Sequence, residues 1–143
     1  MIEAISNLIS GTPPIAPPAN LEKWTNDSGG TLEAGVVVKL DGTGGDVDEA
    51  STDCSDAFGV TLEEADDGDE IRIQYITPGT VFRGPINEDS AEVGHTVDLN
   101  SDRDGFDGTD EDNESGFLVL KVHEDDDGDT DYVEGVFLAG QFI

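Results

Sequence analysis

Four oxygen-bearing side chains between residues 100 and 111 have the spacing of a calcium-binding loop. In the stretch NSDRDGFDGTDE, Asn100, Asp102 and Asp104 stand at the first, third and fifth positions, and Glu111 stands at the twelfth. Carboxylate and amide oxygens are the ligands that Ca²⁺ and Mg²⁺ prefer in proteins. The stretch is therefore a candidate site for Ca²⁺ or Mg²⁺, and the sequence predicts no other cofactor.

A solvated acidic loop is the alternative interpretation of the same stretch. Asn100 stands where calcium loops normally have Asp, and Asp107 stands where they have an apolar residue. The sequence predicts no helices on either side of the loop. Because the chain contains 34 acidic residues, near matches to this spacing arise by accident. We favour the hydrated loop and keep the metal site as the alternative.

The charge of the chain restricts both its surroundings and its partners. Its 34 acidic and 6 basic residues give a formal net charge of −28. Such a chain is either disordered or folded in concentrated salt, where screening shortens the reach of repulsion. Hydrophobic residues make up 35% of the chain and gather into strand-like runs, which favours a folded, salt-adapted protein. The same charge repels nucleic acid and anionic membranes, so neither is predicted as a partner.

No set of residues in the sequence predicts catalysis. His95 and His123 are isolated from each other, and Cys54 has no second cysteine near it. No serine stands in a nucleophile-elbow context, and paired carboxylates carry no information where acids are so frequent. We predict that the protein is not an enzyme. No apolar run approaches the roughly 20 residues of a membrane span, and the first residues lack the features of a secretory signal.

Residues 1–31 differ from the rest of the chain and are predicted to form an extended N-terminal arm. Residues 2–9 place apolar side chains at helical spacing, and two Pro-Pro pairs follow in GTPPIAPPAN. Glu3 is the one charged side chain before residue 22. We expect this arm to pack on another molecule, the alternative being a disordered leader. The predicted contact residues are its large apolar side chains: Ile2, Ile5, Leu8, Ile9, Ile15, Leu21 and Trp24.

Residues 32–143 are predicted to form one small all-β domain. Short apolar runs alternate with Asp/Gly turns, and Asp67-Gly68 marks a hairpin between two of these runs. Residues 87–93 could form one turn of helix. Strands at this spacing are typical of a small barrel or a sandwich. The predicted strands cover residues 34–40, 57–62, 70–77, 77–83, 95–99, 116–123 and 131–142.

Residues 32–143 resemble the capsid decoration, or cement, proteins of tailed viruses. The resemblance lies in the phrases AGVVVKLDG, AFGVTLEEADDGDEIRI, GTVFR and VGHTVDL, with YVEGVF near the end. This sequence departs from the family pattern at His95, where Asp is usual, and in the inserted acidic tract 104–115. The matching positions are Ala50, Ala57-Phe58-Gly59-Val60, Leu62-Glu63, Ala65, Gly68, Ile71-Arg72-Ile73, and Val93-Gly94 through Leu99.

The resemblance implies a β-barrel or β-tulip domain that is usually a homotrimer. Such proteins bind the major capsid protein on the outer surface of the virion and stabilise the capsid lattice. Together with the salt-adapted composition, this predicts a structural virion protein of a tailed virus that infects haloarchaea. Two alternatives stay open: a virion turret or spike component, and a calcium-dependent haloarchaeal binding module.

Overall fold

The computed structural model describes six stretches of the chain: residues 1–8, 23–42, 44–86, 91–107, 116–124 and 131–138. The fold is all-β, and no helix occurs in the described residues. The strands are β1 (Glu3–Asn7), β2 (Trp24–Asn26), β3 (Val37–Asp41), β4 (Asp46–Glu49), β5 (Gly59–Thr61), β6 (Glu70–Ile71), β7 (Ile73–Tyr75), β8 (Thr80–Ile86), β9 (Thr96–Leu99), β10 (Phe106–Asp107), β11 (Phe117–His123) and β12 (Asp131–Phe137).

The C-terminal barrel contains β8 to β12 in the order β8-β10-β9-β11-β12. A further antiparallel pairing between β8 and β12 closes the ring, with Arg83 opposite Glu134 and Phe82 opposite Gly135. The first half of β8 also pairs with β1, which lies beside the barrel as an additional strand. Closure leaves few free strand edges, which is the usual way that a small β-protein avoids edge-to-edge aggregation.

The N-terminal barrel contains β2 to β7 in the order β6-β2-β4-β3-β5-β7. Its first and last strands, β6 and β7, follow each other in the chain and are separated by Arg72 alone. The sheet therefore returns to its starting strand and is a nearly closed ring. β5 and β7 form the antiparallel hairpin that Asp67-Gly68 predicted, and Gly68 has the positive φ of 85° that its turn requires.

Two clusters of buried side chains fill the interior. The larger one centres on four phenylalanines of the C-terminal barrel, and Phe106 stacks on Phe117 with 4.1 Å between ring centroids. Val37 and Val60 of the N-terminal barrel belong to the same cluster, so the two barrels share one core. The smaller cluster lies within the N-terminal barrel and consists of Leu32, Val36, Val38, Val47, Phe58, Ala65, Ile71 and Ile73.

The prediction of an all-β barrel fold is confirmed, and the chain forms closed or nearly closed barrels rather than an open sandwich. The sequence pattern missed the shorter strands. The acidic stretch DVDE is β4 and not a loop, because its one apolar residue, Val47, is fully buried and its neighbours point to the surface. Residues 2–9 have apolar side chains at helical spacing, but residues 3–7 form the strand β1, because β8 provides backbone partners for them.

Candidate functional site

The first eight residues are fastened to the barrels at both ends. The amide of Ile2 donates a hydrogen bond of 3.0 Å to the carbonyl of Gly35, and the amide of Leu8 donates one of 2.7 Å to Gly79. Gly35 has a φ of 81°, and a Cβ at this position would collide with the side chain of Met1. The start of the chain therefore lies directly on the N-terminal barrel, while β1 extends the C-terminal barrel.

The predicted contact residues of the arm fall into different environments. Ile2 is buried in the shared core, and Ile5 on β1 is half-buried. Leu8 is 61% exposed, so among the described members of the set it offers the most accessible apolar side chain. Ile9, Ile15 and Leu21 lie outside the described residues. The structure therefore brings part of the set into the domain itself and leaves the side chain of Leu8 exposed.

Trp24 belongs to an aromatic group inside the N-terminal barrel. Its ring meets Phe58 edge-on at 5.1 Å between centroids. Its Nε1 donates a hydrogen bond of 3.2 Å to the hydroxyl of Tyr75. Because both the ring and the polar nitrogen of Trp24 have partners in its own barrel, the side chain contributes to packing here.

The acidic loop between β9 and β10 is held by its own hydrogen bonds. Nδ2 of Asn100 donates to Oδ1 of Asp104 at 3.0 Å, and Oδ1 of Asn100 accepts from the amide of Asp104 at 3.3 Å. The amide of Asn100 also donates to the carbonyl of Gly105 at 2.9 Å. A Cβ on Gly105 would lie 2.9 Å from Nδ2 of Asn100. Two of the predicted metal ligands, Asn100 and Asp104, are thus hydrogen-bonded to each other.

Arg103, which the sequence analysis did not single out, connects this loop to the N-terminal barrel. Its carbonyl accepts a hydrogen bond of 2.9 Å from the amide of Val37, and its Nε donates one of 2.9 Å to the carbonyl of Ala50. Its Nη1 lies 3.7 Å from Oε2 of Glu49. The residue has a φ of 57°, unusual for a side chain other than glycine. A signal for it in the sequence is that it is one of six basic residues and stands in an acidic loop.

Asp102 and Asp104 also line an acidic cavity of about 590 Å³ at the junction of the barrels. Its apolar wall includes Leu32 and Val36. Within the described parts of the chain, no three acidic, His or Cys side chains converge closely enough to hold a metal ion. Glu111 lies outside those parts, so the predicted metal site stays a prediction. The carboxylates that line the cavity are Glu33, Glu49, Glu64, Asp102 and Asp104.

A second polar cluster lies on the outer face of the C-terminal barrel. Oε1 of Glu134 accepts a hydrogen bond of 2.9 Å from Nη2 of Arg83, and it lies 3.2 Å from Nε2 of His123. Nε2 of His123 makes no hydrogen bond, so this second contact is one between opposite charges when His123 is protonated. The His123 ring stacks on Tyr132 at 4.3 Å, and Arg83 lies over the same ring.

The pKa of Glu134 reflects this cluster. Burial raises the pKa, but the hydrogen bond from Arg83 and the charge of His123 outweigh burial and hold it below its ordinary value. Cross-strand register explains the arrangement, because Arg83 faces Glu134 on one side and Lys121 faces it on the other. These residues lie on three strands, and β8 is distant in the sequence from β11 and β12, which is why spacing alone did not reveal the cluster.

Cys54 and His95 are the remaining residues whose side chains could take part in chemistry. Cys54 is fully buried. Burial is the largest cause of the raised pKa of its thiol, and the charges of Asp98 and Asp53 raise that pKa further. A thiol with a raised pKa is a poor nucleophile. Nε2 of His95 lies 3.5 Å from Oε2 of Glu92 in a partly exposed i, i+3 pair. Neither residue lies in a group that resembles a catalytic constellation.

No protein-family profile matches the chain, and no curated protein matches it.

In the described stretches, the structure contains no helix of the length and apolar character that a membrane crossing needs.

Proposed function

We propose that this chain is a structural virion protein: a homotrimeric capsid decoration protein on the outer surface of the major capsid protein lattice, stabilising it in high salt. The observation that carries the proposal is an uncharged stretch of sequence that directly follows a strand held against an acidic barrel protein. β1 is held by Ile2 and Leu8, and residues 9–21, which follow it, contain no charged side chain. The resemblance of residues 32–143 to cement proteins supports the same function.

The physical argument concerns how so acidic a molecule can bind a partner. A partner adapted to the same salt is expected to be acidic as well, so most surfaces of the two proteins would repel each other. An uncharged apolar segment binds without that repulsion, and salt strengthens rather than weakens apolar burial. Three copies of such a segment on one trimer raise the effective concentration of each contact. Weak individual contacts then suffice for stable attachment.

Composition of purified virions tests the function. A decoration protein should be present at a copy number close to that of the major capsid protein, measured by quantitative mass spectrometry of both chains. Major capsid protein from the same particles provides the internal standard. A copy number of a few dozen would instead support the turret or spike alternative, and absence from virions would contradict a virion function altogether.

The role of the segment after β1 requires a separate experiment. Deletion of residues 1–21 would also remove Ile2 from the shared core and β1 from its pairing with β8, so a loss of binding could reflect lost stability. Replacement of residues 9–21 by a Gly/Ser linker of equal length avoids this, and we expect it to abolish binding to capsid shells while the melting temperature is retained. The control is Leu40→Ser, which removes an exposed apolar side chain on β3. Unchanged binding of the linker variant would contradict the segment's role.

A calcium-dependent binding module is the second candidate, favoured by the carboxylates that line the cavity beside Asp102 and Asp104. If it is correct, Ca²⁺ should raise the melting temperature in strong salt more than Mg²⁺ does, and Glu111→Gln should remove the difference. Strong salt is needed because any divalent cation stabilises so acidic a protein at low ionic strength. Equal melting with Ca²⁺ and with a chelator would eliminate this candidate.

A further inference from the structure

The outer face of β8, β11 and β12 is neutral, although the chain as a whole is strongly acidic. Each of these strands has seven residues. Together they contain two acidic residues, Asp131 and Glu134, and two basic ones, Arg83 and Lys121. The net formal charge of the three strands is therefore zero, whereas that of the chain is −28. We call the outward side of these strands the neutral face.

An apolar strip lies on this face beside the polar cluster. Leu118 and Val136 are directly opposite each other on β11 and β12 and are half-buried. Leu120, at the irregularity in β11, is 38% exposed, and Leu138, just after β12, is 43% exposed. Their neighbours Phe117, Val119 and Phe137 point inward and are fully buried, so alternation places the strip on the outside.

The polar part of the neutral face is already balanced. Glu134 is neutralised by Arg83 at 2.9 Å and lies opposite Lys121 in the strand register. An apolar strip bordered by paired charges is the composition expected of a protein interface, with an apolar centre and a polar rim. The Arg83 and Tyr132 side chains in the cluster are of the types that most often provide binding energy.

We propose that the neutral face is the surface through which copies of this chain associate with one another. Charge decides between possible occupants. When two copies meet, every charge at the contact is present twice, so acid-rich surfaces repel themselves. On the neutral face the acidic side chain of Glu134 is already paired with Arg83 within each copy, so two such faces can meet without the repulsion that acid-rich surfaces create. The inference rests on the self-association that is part of the proposed function, and it names the surface responsible.

Self-association in solution, without any capsid, tests this inference. We expect the purified chain to sediment as an oligomer in about 1 M salt, where the Debye length is about 3 Å and repulsion between copies is screened. Leu120→Glu and Leu138→Glu should each weaken association by about tenfold or more, because each places a carboxylate in the apolar strip. Leu40→Glu is the matched control: it makes the same change at a side chain that is 49% exposed on β3 of the other barrel, and it should associate as wild type does.

Each outcome bears on the inference. Loss of the oligomer in both strip variants, with wild-type melting curves and an unaffected control, would support it. A wild-type monomer in strong salt, equal dissociation of all three variants, or intact oligomers in the strip variants would overturn it. A monomer whose capsid binding is lost in Leu120→Glu would assign the face to the capsid protein and would overturn self-association while leaving the virion function in place.

Discussion

Arg103 joins the two barrels through its carbonyl and its guanidinium together. The amide of Val37 donates a hydrogen bond to the carbonyl of Arg103. The guanidinium of Arg103 donates one to the carbonyl of Ala50 and forms an ion pair with Glu49. The loop that carries it is closed by the mutual hydrogen bonds of Asn100 and Asp104. The acidic loop therefore has a structural role that its spacing did not predict: it holds an arginine in position across the junction.

We expect Arg103→Ala to lower the free energy of unfolding by about 1–2 kcal/mol, because it removes a charge-assisted hydrogen bond and leaves the carbonyl of Ala50 without that donor. The control is Arg72→Ala, which removes an exposed ion pair with Glu63 and should cost about 1 kcal/mol or less. Denaturant unfolding of both variants in strong salt measures the difference. Equal losses would show that the Arg103 contacts add nothing beyond a surface pair.

Glu134 provides the pH-dependent prediction. Because its pKa is lower in the folded chain than its ordinary value of 4.5, its contacts stabilise the fold above that value. This stabilisation is lost as the pH falls through the folded pKa. Glu134→Gln should therefore cost about 1 kcal/mol at neutral pH, and the cost should diminish towards zero in acid. Denaturant unfolding across this range checks the prediction, and a cost independent of pH would contradict it.

At the scale of elements, β8 is the strand on which the C-terminal barrel depends. It pairs with β1, β10 and β12, and the pairing with β12 closes the ring. On its other side β12 pairs with β11, and close approach of these two strands needs a residue without a side chain at Gly135. A Cβ there would collide with the carbonyl oxygen of Leu118 and would lie 2.8 Å from Cε1 of Phe117.

Gly135→Ala should consequently destabilise the fold by about 2–3 kcal/mol through overpacking. Gly30→Ala serves as the control, because no atom lies within 4 Å of the added carbon, and its effect should stay within about 0.5 kcal/mol. Thermal unfolding of the two variants under identical salt conditions gives the comparison. Similar melting temperatures for both would mean that the contact between β11 and β12 relaxes easily.

At the scale of the whole molecule, the charge of −28 works against compactness. Asp27 is a local example of this repulsion between acidic side chains. The pKa of Asp27 is raised by its hydrogen bond to Asp41, by burial and by the charges of Asp41, Asp46 and Asp67. A raised carboxyl pKa means that the ionised form is less favourable in the folded chain than in the unfolded one. Repulsion of this kind is what dissolved salt screens.

We therefore expect the melting temperature to rise steeply with salt up to about 1 M, as the Debye length shortens to about 3 Å, and to rise more slowly beyond that. Scanning calorimetry in potassium chloride measures the curve.

Asp27→Asn should melt higher than wild type at low salt and neutral pH, and the difference should shrink as salt is added. A melting temperature independent of salt would contradict the prediction of a salt-adapted fold.

Much of the fold could be predicted because it depends on local patterns. Apolar runs between Asp/Gly turns located most of the longer strands, and Asp67-Gly68 located the hairpin of β5 and β7. β1 and β4 could not be located in this way. The apolar side chains around β1 have helical spacing, and β4 has a single apolar residue between acids, so each strand is defined by the partner strand that supplies its hydrogen bonds.

The sequence by itself determined the class of fold, the acidity and the uncharged stretch before residue 22, since these depend on composition and on neighbours in the chain. The tertiary structure alone decided which residues act together. It placed Ile2 in the shared core, joined Asn100 to Asp104, and brought Arg83, His123 and Glu134 together from three strands. The physical reason is that strand pairing and barrel closure bring distant residues into contact, and a one-dimensional pattern does not contain those distances.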